Sequence, residues 1–417
     1  MKVLIVNASD INGGAARAAY RLHQSLIASN IDSNMLVQKK FSDDFTVLGP
    51  ETKLEKSVNV CKYTIDIFPT RFYKNKKSTP FSPAWLPSKK LIRQINSLNP
   101  DIVHLHWTNA GMIKIEDLES INAPIIWSLH DMWAFTGGCH YDENCAAFKN
   151  SCGSCPVLNS GTEVDLSRRI FNRKKKIYSK INNLTIVGLS KWLENCVRES
   201  SLLRDKRIIN LPNPIDINLY KPFEKTVARD LWNLPKDKKL VLFGAMGATS
   251  DPRKGFKELK SALRKITITD VEFVIFGASK PANSADLGVK AHFVGSLNDD
   301  ISLVSLYSAV DVMVVPSLQE NLSNAIMESL SCGTPVVAFD IGGNSDLVEH
   351  KNNGYLAQSF DTKDLANGIE WVLHNEEYQD VCASARQKVI EEFSSNIVSQ
   401  KYIELYRSII ANPISCK

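Results

Sequence analysis

A chain of 417 residues is too long for one ordinary hydrophobic core and fits two domains of roughly 200 residues each. Hydrophobic residues at 44% and charged residues at 23% describe a globular protein rather than a disordered one, and no run of about 20 apolar residues is present to span a bilayer. The net charge of +5 is mild, its basic residues are spread along the chain and no aromatic RNA-binding motif accompanies them, which excludes a dedicated nucleic-acid binder.

The opening MKVLIVNASD has too short an apolar run for a signal peptide and reads as a first strand. A cytoplasmic protein is therefore expected, with its nine cysteines reduced. Lys2 to Val6 predicts that strand, Asn7 to Gly14 a loop, and Ala15 to Ser29 an alanine-rich helix. Strand, glycine loop and helix is the geometry by which free amides approach a phosphate. Asn12-Gly13-Gly14 is not GxGxxG, however, and taken alone Gly13 and Gly14 also fit a tight turn.

Between Asp66 and Trp85, Phe68, Phe72, Tyr73, Phe81 and Trp85 interleave with Arg71, Lys74, Lys76 and Lys77. The pattern suits contact with an anionic membrane surface, or a solvated loop with its rings folded under. Asp101 to His106 and Pro124 to Leu129 predict buried strands, so His130 and Asp131 fall at a strand's carboxyl end, where doubly wound sheets bind ligands. His104 and His106 are read as alternating to opposite faces of their strand, so that one at most reaches a site.

Cys139, Cys145, Cys152 and Cys155 crowd one short segment, 138–156, beside His140. Four thiols at this density point to a structural zinc ahead of disulfides or free thiols, and four cysteine ligands would leave no open position for catalysis. Residues 165–181 predict a basic amphipathic helix, with Leu166, Ile170, Ile177 and Ile181 inward and Arg168, Arg169, Arg173 to Lys176 and Lys180 facing solvent or an anionic partner.

A second alternation of strands and helices starts at Leu240 to Gly244, followed by a loop over 245–255 and a helix from Phe256. Arg253 and Lys254 stand just before that helix, where cations beside free amides can neutralise a diphosphate. Asp311 to Val315 is a β-branched buried strand, Ser323 or Asn324 caps the next helix, and Gly333 with Pro335 ends it. Glu320 precedes that helix and Glu328 lies about two turns inside it, so the two carboxylates should grip different parts of one ligand.

Glu320, seven residues, Glu328 and then Cys-Gly-Thr-Pro-Val-Val resembles the signature of the family 4 retaining glycosyltransferases. The chain reads Glu-Asn-Leu-Ser at 320–323 where the commoner pattern is Glu-Gly-Phe-Gly, which keeps the amide donors. The resemblance implies an α/β GT-B fold, two doubly wound Rossmann-like domains facing a cleft, with the acceptor on the first and the nucleotide sugar on the second. It implies that Glu320 lies by the donor sugar, that Glu328 holds the ribose, and that the amides of Asn321, Leu322, Ser323 and Asn324 meet the diphosphate with Arg253 and Lys254. By the same resemblance His130 lies near the donor sugar, and Gly13 and Gly14 line the site from the first domain. Leu211-Pro-Asn-Pro-Ile-Asp216 is similar to the family's interdomain hinge. That places the domains at 1–212 and 213–394, with a helix in 395–417 crossing back to the first.

The implied reaction moves a hexosyl group from a UDP or GDP sugar to a hydroxyl of a glycan acceptor, a lipid-linked oligosaccharide of surface polysaccharide assembly. It proceeds with retention and without a catalytic cofactor or metal. A soluble enzyme of this kind must meet its acceptor at the anionic inner membrane surface. Two other readings share the architecture: a sugar-nucleotide 2-epimerase, which the Glu320 to Glu328 signature disfavours, and a non-catalytic nucleotide-sugar binding protein, disfavoured because His130, Arg253, Lys254 and both glutamates are present together.

Overall fold

The computed structural model describes residues 1–244, 247–278, 288–297 and 299–412. The chain divides into two compact units, Met1–Pro214 with the chain from Val398 on, and Ile215–Ile397. The first holds a parallel sheet of β1 (Lys2–Ser9), β2 (Asp32–Lys39), β3 (Val47–Leu48), β4 (Ile102–Leu105), β5 (Ile125–Leu129), β6 (Leu184–Gly188) and β7 (Arg207–Asn210). Their spatial order is β3-β2-β1-β4-β5-β6-β7. Its helices are α1 (Gly14–Ala28), α2 (Lys53–Asp66), α3 (Lys89–Ser97), α4 (Leu166–Tyr178) and α5 (Lys191–Glu199).

The second unit repeats the plan with β8 (Lys239–Gly244), β9 (Val271–Phe276), β10 (Ala291–Gly295), β11 (Val312–Val315), β12 (Val336–Phe339) and β13 (Gly354–Ala357), ordered β10-β9-β8-β11-β12-β13. Around it stand α6 (Lys225–Leu231), α7 (Phe256–Leu263), α8 (Asp300–Ala309), α9 (Asn324–Ser331), α10 (Asn344–Leu347), α11 (Thr362–Leu373) and α12 (Tyr378–Glu392). Both are doubly wound Rossmann-like sheets, as the alternation in the sequence implies. Strands such as β4, β5, β11 and β12 are buried along their whole length, which is why they read as continuous apolar runs rather than alternating ones.

In each sheet the strand order reverses beside the first strand, between β1 and β4 and between β8 and β11. Loops leaving the carboxyl ends of strands at such a switch point are where open α/β sheets bind ligands. The loops that follow β8 and β11 carry Arg253, Lys254 and Glu320, although residues 245 and 246 of the first lie outside the described residues.

The final helix, α13 (Ser395–Ala411), begins in the second unit, where the Ser395 amide donates to Ile215 O at 2.9 Å, and from Val398 on belongs to the first. There Tyr406 Oη meets His104 Nδ1 at 2.7 Å and Ser399 Oγ meets Ser29 Oγ at 3.1 Å.

The basic helix differs from its sequence reading. Lys174 is fully buried, its ammonium donating to Trp133 O and, at 3.1 Å, to Thr136 O while lying 3.6 Å above the Trp133 ring. Burial drives that amine down to about 7, with the thiols of Cys139 and Cys152 pulling it back up. Arg173 pairs with Glu116 at 2.6 Å and Lys180 with Glu119 at 2.8 Å. Arg169, Lys175, Lys176 and Lys180 are exposed as expected, whereas Lys174 turns fully inward and Arg168 and Arg173 partly so, because charge alone does not say which long side chains fold inward. In the 66–85 stretch Phe68, Phe72 and Trp85 are exposed, whereas Phe81 is buried and the Tyr73 hydroxyl accepts from the Leu166 amide at 2.8 Å.

Candidate active site

In the second unit, β11 runs out at Val315 and the chain turns through Glu320 into α9, where Ser323 Oγ caps the helix by accepting from the Ile326 amide at 3.4 Å. Asn321, Leu322 and Ser323 have buried side chains, so a ligand in front of this turn is met by backbone. None of the three adopts a positive φ. Replacement of the commoner glycines by asparagine and serine therefore costs no left-handed backbone here.

Glu320 accepts from Lys254 Nζ at 3.1 Å and from Ser317 Oγ at 3.4 Å. Lys254 closes a short 3-10 turn, Pro252–Lys254, whose cap Asp251 accepts from the Arg253 amide at 3.0 Å. The two cations go separate ways. Lys254 turns to Glu320, while Arg253 folds back on Asp251 through Nε at 3.2 Å and Nη2 at 2.7 Å. Burial pushes the Asp251 carboxyl up, but the hydrogen bonds and charge of Arg253 outweigh it and hold the group below the usual range.

The two loops are locked by contact. The Leu318 amide donates to Arg253 O at 2.7 Å. Gly255, at φ +72°, lies so close that an added Cβ would stand 1.7 Å from Pro316 O, and Gly342, at φ +54°, packs under the next turn, where a Cβ would stand 1.8 Å from Glu320 O. Both positions need glycine for the backbone angle and for the close approach. Glu328 is no solvated helix residue: it is 5% exposed, and Tyr307 Oη donates to its Oε2 at 2.9 Å. Burial first, and the neighbouring Glu328 charge next, hold the Tyr307 phenol well above its ordinary range, so it stays a donor.

Sequence reasoning missed Asp251, Tyr307 and the demands on Gly255 and Gly342. Tyr307 carried a readable signal, a phenol in the apolar run LVSLYSAV, since a buried hydroxyl needs a partner. Pairing of Asp251 with Arg253 depends on a turn that no spacing rule announces.

His130, Gly13 and Gly14 belong to the first unit and all the residues above to the second. Gly13 precedes α1 at φ +107° without a side-chain cap, and an added Cβ there would meet nothing within 4 Å. Open space thus stands before that helix. Asp10 fixes the loop, accepting from the amides of Ile11, Phe41 and Ser42 at 2.8–3.1 Å.

His130 Nε2 shares a hydrogen bond of 2.9 Å with His106 Nδ1. Burial lowers His130 to about 4 against the pull of Asp131, and His104 to about 3 with help from His130, so both imidazoles are neutral near pH 7. His104 and His106 share one face, ring centroids 4.4 Å apart, which corrects the expectation of opposite faces. The side-chain period of a strand is two, so residues i and i+2 fall on the same side. Asp131 accepts from Trp107 Nε1 at 3.0 Å and from the Trp133 amide at 2.8 Å, and it pairs with His140 Nδ1 at 2.6 Å.

Of the four cysteines proposed as zinc ligands, Cys139, Cys152 and Cys155 are buried and Cys145 is exposed. The thiols of Cys139 and Cys155 hydrogen-bond to each other; that bond, together with burial, pushes Cys139 up, and against the effect of burial it lowers Cys155 to about 7. Cys152 Sγ accepts from the Gly137 amide at 3.1 Å. Among the described residues no three His, Cys, Asp or Glu side chains are gathered as a metal site requires.

Residues 12–219 match the family described as Glycosyltransferase Family 4, and residues 225–389 match the one described as Glycosyl transferases group 1. The chain belongs to the family 4 glycosyltransferases.

This transferase is 30% identical over 213 residues to an uncharacterized glycosyltransferase of Methanocaldococcus jannaschii, covering 48% of the chain and about half, 53%, of that relative. It is 25% identical to a Campylobacter jejuni N,N'-diacetylbacillosaminyl-diphospho-undecaprenol alpha-1,3-N-acetylgalactosaminyltransferase, over 61% of the chain and 68% of the relative. The putative colanic acid biosynthesis glycosyl transferase WcaC of Escherichia coli is 20% identical over 98% of the chain and 100% of its own length. Among solved structures, Anabaena HepE in complex with UDP-glucose superimposes with a TM-score of 0.65 at 16% identity, over 98% of the chain and 100% of the other, a likeness of fold. The transferase thus has the GT-B class of fold that its sequence implied.

Proposed function

We propose that this transferase moves a hexosyl group from a nucleotide diphosphate sugar to a hydroxyl of a glycan acceptor, with retention and without a catalytic metal. The observation that carries the reading is the Lys254–Glu320 pair on the two loops at the switch point of the second sheet, just ahead of α9. Breaking the bond from the anomeric carbon to the donor oxygen leaves negative charge on the terminal phosphate. Lys254 is the cation that can leave Glu320 for that phosphate, and the amino end of α9 adds a favourable dipole. Glu320, released, faces the sugar, and Glu328, its second oxygen tied to Tyr307, keeps the rotamer needed to accept from the ribose hydroxyls. The sequence offers no well-placed nucleophile, so the leaving phosphate takes the acceptor's proton in a same-face substitution. His130, Gly13 and Gly14 enter on resemblance, His130 as a neutral hydrogen-bonding group.

A UDP sugar is the first donor to try, because HepE was solved with UDP-glucose, and a lipid-linked acceptor is the first acceptor, given the name of the Campylobacter relative. A thermal-shift series with UDP, GDP and ADP sugars checks the donor: one nucleotide should raise the melting temperature well above the others, and no response to any would count against the donor site.

Among the described residues no helix is long and apolar enough to cross a membrane. We place the enzyme in the cytoplasm, meeting the inner leaflet weakly through exposed Phe68, Phe72 and Trp85 with Arg71 and Lys74, Lys76 and Lys77. Each cation at such a surface contributes about 1 kcal/mol, screened by salt. Co-sedimentation with anionic vesicles should then be salt-reversible and fall when Lys74, Lys76 and Lys77 are neutralised; equal binding to neutral vesicles would reject it. A structural zinc on Cys139, Cys145, Cys152 and Cys155 needs the exposed Cys145 to turn inward. About one zinc per chain after reducing purification would establish it, and a metal-free folded protein would leave the segment held by its thiol and amide contacts.

A further inference from the structure

Helix α2 is unusual for a helix beside a parallel sheet. Only Asp66, its last residue, is buried. Leu54, Val58, Cys61 and Ile65 recur at helical spacing, which puts them on one stripe, and all four are exposed. The side turned towards the sheet is polar instead. Asn59 Nδ2 donates to Gln38 O at 2.9 Å, and Glu55 pairs with Lys90 of α3 at 2.6 Å. Beside these contacts lies a groove of about 920 Å³ lined by α2, α3 and the carboxyl-terminal half of β2. That volume lies at the upper end of the range for sites that take an organic ligand, roughly 300–1,000 Å³.

The lining has three chemistries. Leu36, Val37 and Met112 form an apolar floor, continued upward by Leu54 and Val58. Lys62, Lys90 and Arg93 supply cations against the carboxylates of Glu51 and Glu55. Lys90 is taken by Glu55, but Lys62 is half-buried and has no carboxylate partner among the described residues. Gln38 also lines the groove, is 4% exposed, and leaves its Oε1 without a hydrogen-bond donor while its Nε2 is used twice. An uncompensated cation, a buried acceptor and an apolar floor that opens onto an exposed apolar stripe define an amphiphile that carries an anion and a hydroxyl.

We propose that the groove between α2 and α3 binds the lipid-phosphate part of the acceptor, with its phosphate on Lys62, a sugar hydroxyl on Gln38 Oε1 and its hydrocarbon chain along Val58 and Leu54. This rests on the transferase reading above and locates the acceptor's anchor, which that reading leaves open. The groove lies beside the carboxyl end of β2, the ligand-binding end of the sheet.

The test uses the full chain and dodecyl phosphate below its micelle concentration, followed by titration calorimetry. One site per chain is expected, with Lys62→Glu and Val58→Asp each weakening it tenfold or more. Both residues are solvent-accessible, so the variants should fold, and an unchanged UDP titration in each verifies it. Inorganic phosphate binding as tightly would reduce the groove to a plain anion site, and dodecyl maltoside binding as tightly would reduce it to an apolar patch; either result overturns the proposal. So does an affinity for dodecyl phosphate within twofold of wild type in Lys62→Glu. Loss of UDP binding in the wild type, with dodecyl phosphate still bound, would instead strike the transferase reading and leave the groove standing.

Discussion

Lys254→Ala is expected to lower kcat by about 10²–10³-fold, the loss of roughly 2.7–4 kcal/mol of transition-state stabilisation that follows removal of one charged contact to a developing anion. Glu320→Ala should fall by a comparable factor, since the two side chains hold one another at 3.1 Å until the donor arrives. Neither variant should unfold. The pair is partly solvated, with side-chain exposures of 27% and 14%, and an ion pair of that kind contributes little net stability. Initial rates at saturating donor, with a melting curve for each variant, decide the matter. Turnover within a few-fold of wild type in both would remove Lys254 and Glu320 from the site.

Gly342→Ala should be nearly as damaging, for a different reason. Its Cβ would stand 1.8 Å from the carbonyl oxygen of Glu320, and the obstacle is backbone rather than a movable side-chain end. The left-handed φ of +54° adds about 1–2 kcal/mol of strain for a non-glycine residue. Relief requires the turn that carries Glu320 to shift, and displacement of about 1 Å in a catalytic turn is worth roughly 10²-fold in rate. A lowered melting temperature together with a rate loss of that order, measured well below the melt, is the expected pair of results. Should Gly342→Ala keep near-normal rates, the position of the Glu320 backbone is not what the site depends on.

Lys254, Glu320 and Gly342 also mark what is legible in the sequence and what is not. Doubly wound sheets were legible because buried parallel strands are continuous apolar runs, as Val312 to Val315 is, and because Gly333 and Pro335 punctuate helix and strand. The two glutamates and Lys254 were legible through a spacing that resembles a family signature. What closes the site was not. Gly342 reads as one more loop glycine until its neighbour, Glu320, is seen above it, since close approach between segments distant in sequence leaves no local trace. Lys174, among basic neighbours, reads as solvated, yet it packs over the Trp133 ring, because helical spacing gives a face but not what fills it. His104 and His106 are legible in full, since residues two apart on a strand share one face.

The central claim is that a nucleotide diphosphate is held by the loops carrying Lys254 and Glu320, and calorimetric titration of UDP and of uridine into the wild type and Lys254→Ala tests it most directly. The wild type should bind UDP at least tenfold more tightly than uridine, and Lys254→Ala should abolish this difference while leaving uridine affinity unchanged. Equal UDP affinity in the two proteins, with transfer activity demonstrated in the wild type, would contradict it.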